Sequence, residues 1–169
     1  MAFTPKTAPC SGRIHAVTVG TDEKGATELV FRTPEVAADF ALAALNTARV
    51  YVADEDRFAM EALAILLREA IERGVLSVED LWKTEPVVIE KLMAEPACKA
   101  AWQHYRSYSC ILRRETCPTE EGWLQVDAKK RWIDPLAAGR GRVSDWYEAF
   151  RRQMKDFCGL DFSCWIRGE

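Results

Sequence analysis

The chain is expected to be mainly α. We read a single helical domain over residues 13–169, with a short N-terminal β-hairpin, a small β element near residues 111–134 and a flexible lead-in over residues 1–12. Three observations carry that expectation. Two long segments, TPEVAADFALAALNTARVYV and DEDRFAMEALAILLREAIERG, are rich in alanine and leucine and begin and end on capping residues. Two short β-branched runs, RIHAVTV and ATELVF, flank the polar turn GTDEKG. After Arg113 the texture changes, and RRETCPTEEGWLQVDAKKRWIDP mixes prolines, a Glu-Glu-Gly turn and alternating apolar residues.

Each element has its own local reason. Glycines at both ends of GTDEKG fit a hairpin turn. Thr33 is placed to cap the first helix, Pro34 suits its first position and Glu35 complements the positive helix start. That helix is apolar nearly all round, which predicts close packing on every side. The second opens on Asp54, Glu55 and Asp56, where negative charge is favoured by about 0.3–1 kcal/mol, and stops at Gly74. Phe58, Ala62, Ile65 and Leu66 lie on one of its faces, while Met60, Leu63 and Leu67 form a second, so it needs two partners. These are either internal or supplied by another subunit.

Ser77 heads LSVEDLW with the Ser-x-x-Asp spacing of a capping box. Thr84 and Pro86 open EPVVIEKLM, and Pro96 opens a helix expected to cover ACKAAWQHYRSYSCIL. GWLQVDAKKRWID is expected as a strand or hairpin, and Ser144 as the cap of DWYEAFRRQMKDF. The aromatic tail LDFSCWIRGE is expected to pack back onto the body.

Composition narrows the function classes. At 169 residues, 49% hydrophobic and 29% charged, the chain reads as an ordinary globular protein. No apolar run reaches the ~18 residues of a membrane span, so no membrane association is expected. MAFTPKTAPCSG lacks the form of a secretion signal, and the six cysteines form no CxxC pair. Free, mostly buried thiols in the cytoplasm are therefore expected. Net charge is −3 but uneven: residues 96–152 carry 11 Lys and Arg against 7 Asp and Glu, whereas residues 1–95 carry 10 against 16. The acidic balance disfavours a nucleic-acid partner, although Trp123, Trp132 and Trp146 stand among the cations as stacking residues would.

The order of pieces carries a resemblance. A "GRI" turn, a hairpin ending in ELVF, a helix reaching "VY", a long Ala/Glu/Leu helix, "GVLSVEDL" and a following helix succeed one another. ILRRE, then KKRWIDP followed by GRVSD, complete the series. Over roughly residues 12–155 the chain resembles the C-terminal helical portion of HD-domain phosphohydrolases, the superfamily of the deoxynucleoside triphosphate triphosphohydrolases. The resemblance implies a metal-free, non-catalytic chain. That family's metal is held by a His, a His-Asp pair and a later Asp preceding the matching portion, and neither His15 nor His104 is followed by Asp. It also places Tyr51 on a tyrosine of the family's substrate pocket. Thr47, Ala43 and Ala53 stand where basic or histidine side chains are usual.

Candidate sites follow. Lys129, Lys130 and Arg131, with Arg113 and Arg114 alongside, are a candidate grip for a phosphorylated small molecule, with Tyr51 in the pocket wall. Arg140 and Arg142 in the glycine-rich loop are candidate additions. The alternative is a solvated strand whose Trp132 and Ile133 dock on the core. Cys110 with Cys117, or Cys158 with Cys164, beside His104 have spacings too loose for a zinc site. No cofactor, metal or catalytic residue is expected. The expected role is an interaction or regulatory subunit, forming a homo-oligomer or joining a separate HD-domain subunit, with a nucleotide as candidate ligand. The alternatives are a subunit completing the pocket of a split phosphohydrolase and a nucleic-acid contact.

Overall fold

A computed structural model describes residues 16–169. In chain order its elements are β1 (Val17–Thr21), β2 (Thr27–Phe31), α1 (Pro34–Val50), α2 (Asp54–Glu72), a 3-10 turn (Val78–Trp82), α3 (Glu85–Ala94) and α4 (Pro96–Ser107). There follow β3 (Ile111–Arg114), β4 (Leu136–Ala137), β5 (Gly141–Arg142), α5 (Val143–Trp146), α6 (Glu148–Cys158) and β6 (Trp165–Gly168). The fold is mainly α, 51% helical, with the N-terminal hairpin and small sheets. Among the described residues no single helix is long and apolar enough to cross a membrane. The described backbone divides into two compact units, one of residues 16–49 with 130–160, the other of residues 50–129 with 161–169.

The first unit is built on a four-stranded sheet in the order β1-β2-β4-β5. Its hairpin turn closes because the Asp22 carboxylate accepts hydrogen bonds from the amides of Lys24 and Ala26, and Gly25 takes φ 79°. β2 pairs in parallel with β4, Val30 opposite Leu136 and Phe31 opposite Ala137. Arg142 ties the far edge back to β2 through two hydrogen bonds of 2.6 Å to Glu28, and donates a third to the Asp134 carbonyl. α1 buries a stripe of Ala37, Ala38, Ala41, Leu45 and Ala48. It is not buried all round: Phe40 and Val50 face solvent. Small side chains allow close approach on one side only. Phe150 and Phe157 of α6 are fully buried.

Ser144 does not cap one continuous helix. Its amide and hydroxyl both donate to the Asp134 carboxylate, at 3.0 and 2.5 Å, and the helix breaks at Tyr147, whose φ of −110° and ψ of 94° are extended. The Asp134 carboxylate thus satisfies one amide at the start of α5, and α6 begins afresh.

The second unit packs α2 against two separate clusters. Leu66 and Ala70 join Leu76, Leu92 and Cys98, with Leu67 and Ile71 at the margin. Phe58 joins Cys164 and Ile166, with Ala62 at the margin. The first apolar face of α2 thus feeds both clusters through Phe58, Ala62 and Leu66, while of the second Leu67 borders one cluster and Met60 is exposed. α4 stops at Ser107 rather than continuing to Leu112. There the chain turns extended, Ser109 and Cys110 donate their amides to the Glu169 carbonyl, and β3 pairs antiparallel with β6. The expected strand through GWLQVDAKKRWID reduces to one bridge, Leu124 to Ile166, and residues 125–135 pair with nothing as a strand.

Candidate interaction surface

The cations expected in the phosphate grip each have their own surroundings. Arg113 and Arg114 alternate across β3 and both meet carboxylates. Arg113 pairs with Glu115 at 3.0 Å and with Asp54 at 3.3 Å. Arg114 pairs with Glu120 at 3.3 Å while its guanidinium lies 4.9 Å from the Trp123 ring centre. The hydrogen bond to Glu115, and then the one to Asp54, hold the Arg113 guanidinium charged above its ordinary range. Lys130 caps the end of α6, its ammonium donating to the carbonyls of Cys158 at 2.6 Å and of Leu160. Lys129 and Arg131 are exposed, and neither makes an ion pair among the described residues.

Tyr51 is 66% exposed just beyond α1. Arg140 lies over Trp146 and Arg142 over Glu28, so both arginines of the glycine-rich loop have internal roles. Trp132 docks only by an edge on Phe157, and Ile133 is exposed. Cations next to one another in sequence are here consumed separately, because β alternation and helix capping send them to different acceptors.

The thiols also sort unevenly. Cys98 and Cys164 are buried as expected, but Cys110 and Cys117 are exposed, and all five described cysteines are free. Cys10 and His15 lie outside the described residues. No group of three His, Cys, Asp or Glu side chains among the described residues could hold a metal ion.

Sequence reading found the capped turn at Ser77 but passed over how its side chains divide between interior and solvent. The Asp80 side chain is buried, and its two oxygens pair with Lys83 at 2.8 Å and Lys91 at 2.6 Å while accepting the Ser77 amide at 2.9 Å. Hydrogen bonds from Lys83, then Lys91, then Ser77 hold this carboxyl well below the usual carboxylate range. With Asp80 turned inward the next side chains point out. Trp82 is 89% exposed, and Val78, Leu81 and Val87 are exposed beside it in sequence. An indole this bare on an ordered turn is unusual, since large aromatics ordinarily surrender most of their area to the core. A tryptophan placed between a capped turn and the polar Lys-Thr-Glu-Pro, with no apolar repeat to carry it inward, was the available sequence signal.

The low Asp80 pKa makes a pH prediction. A carboxylate depressed in the folded state stabilises fully above its unfolded value, near pH 3.8, and loses that contribution as pH falls toward the folded value. The stability difference between wild type and Asp80→Asn in urea is therefore expected to be constant above about pH 5 and to shrink below about pH 4. An unchanged difference at about pH 3 contradicts the assignment.

No family model, curated protein or solved structure matches this chain.

Proposed function

We propose that the chain is a non-catalytic interaction or regulatory subunit that works through the exposed turn around Trp82. The observation carrying this reading is an almost fully solvated tryptophan held on a turn fixed by the Asp80 ion pairs. Aromatic anchors of this kind supply most of the binding energy at protein interfaces. The partner is a second copy of the chain or a separate HD-domain subunit. The relation to HD-domain phosphohydrolases is supported by element order alone: hairpin, helix to Val50, long helix, capped turn and next helix follow one another as in the quoted segments.

A second reading, completion of a split phosphohydrolase pocket, is favoured by the exposure of Tyr51. Arg113 and Arg114 already hold carboxylates, which leaves them less available to a phosphorylated ligand.

Light scattering over a concentration series tests the leading reading. The wild-type chain is expected to associate with itself, or with an added HD-domain subunit, and Trp82→Ala to weaken that association roughly thirtyfold or more. A monomer under both conditions, or association indifferent to Trp82→Ala, overturns it. Metal-dependent phosphatase activity appearing only in the mixture, and falling with Tyr51→Ala, would transfer the assignment to the second reading.

A further inference from the structure

The second unit contains a pocket of about 310 Å³ between the start of α2, the end of α4 and the chain entering β3. Phe58, Tyr105 and Tyr108 give its lining an aromatic part. Phe58, 3% exposed, meets Tyr108 edge-on with ring centres 5.1 Å apart, and Tyr105 meets Tyr108 edge-on at 6.4 Å. Gly168 backs this arrangement so closely that a Cβ there would lie 2.6 Å from carbons of both the Phe58 and Tyr108 rings. The rings are thus held between α2, α4 and the bare backbone of β6.

Two charges stand at the rim. Arg106 has its guanidinium 5.8 Å from the centre of the Trp102 ring, a contact that places the side chain and leaves its charge intact. Glu55 makes no ion pair among the described residues, unlike its neighbour Asp54, which is held by Arg57 and Arg113. A carboxylate without an ion pair, in a pocket also lined by aromatic rings, is the chemistry that recognises a weakly hydrated cation. Ring faces attract positive charge, and methyl groups on nitrogen gain contact area without needing hydrogen bonds. The volume lies within the ordinary range for small-molecule sites.

We propose that this pocket binds an organic cation of the methylated or quaternary ammonium class, with Tyr105 and Tyr108 against the onium methyl groups and the Glu55 carboxylate facing the charge. The site is separate from the Trp82 turn, and the proposal stands or falls independently of the interaction role.

The test titrates the full chain with choline, followed by the aromatic proton resonances. Its neutral isostere, 3,3-dimethylbutan-1-ol, serves as the comparison. Choline is expected to saturate and to bind about three- to thirtyfold more tightly than the isostere. Tyr105→Ala and Glu55→Gln are each expected to weaken choline binding by about threefold or more. Should Tyr105→Ala lose its fold by circular dichroism, Glu55→Gln, at an exposed side chain, decides alone. Equal binding of the neutral isostere, an unchanged choline affinity in Glu55→Gln, or no saturation at concentrations on the order of 100 mM overturns the proposal.

Discussion

Asp54→Ala is expected to destabilise the second unit by about 3–5 kcal/mol, the cost of leaving a buried charge without its partner. Arg57 is 3% exposed and spends its guanidinium on Asp54 at 2.5 Å, on the Val126 carbonyl and on Cys164 Sγ at 3.4 Å, with the Phe162 ring centre 4.7 Å away. Burial works against its charge more strongly than any single partner works for it. The hydrogen bonds to Asp54 and Cys164, with the charge interactions at the same two residues, outweigh that burial, and the guanidinium pKa stands above its usual value. Without Asp54 the compensation is mostly gone, and Arg113 loses one of its two carboxylates as well. Urea denaturation checks the figure. The double variant Asp54→Ala with Arg57→Met should recover much of the loss, since removing both charges restores a neutral interior. A single variant costing no more than an exposed ion pair, below about 1 kcal/mol, would show that the Arg57 charge is solvated.

Phe157→Ala is expected to cost the first unit a comparable amount, about 3–5 kcal/mol, from lost burial and the cavity left behind. Phe157 is fully buried, with Trp132 edge-on at 6.4 Å between ring centres and the Arg49 guanidinium 6.0 Å from the ring centre. Phe157→Leu should cost much less, because a branched aliphatic side chain refills most of the space. Trp132 supplies an internal check. Deprived of its aromatic partner it should become more solvated, and its fluorescence should shift to the red in Phe157→Ala. Unaltered emission together with a small stability change would place Phe157 outside the core.

Much of the local structure was readable before any packing was known. Pro34 opens α1, the acidic run Asp54-Glu55-Asp56 begins α2, Gly74 with φ 71° follows its end, and Ser77 with Asp80 forms the capped turn. These features involve residues within four positions of one another, so a linear sequence displays them directly. The candidate site was not readable in the same way. Arg113, Arg114, Lys130 and Arg142 look alike as cations on a line. Their acceptors, among them Asp54, the Cys158 carbonyl and Glu28, stand 59, 28 and 114 positions away.

By itself, then, the sequence determined the helical character, the hairpin and most element starts, because caps, turns and prolines act through neighbouring backbone groups. Tertiary structure alone decided which charges are consumed and which side chains stay in water. β2 accepts β4 as a parallel neighbour from over a hundred residues away, Arg57 is drawn inside, and Trp82 is left outside. The physical reason lies in desolvation. A cation or an indole lowers its free energy according to what surrounds it in three dimensions, and no window along the chain contains those surroundings.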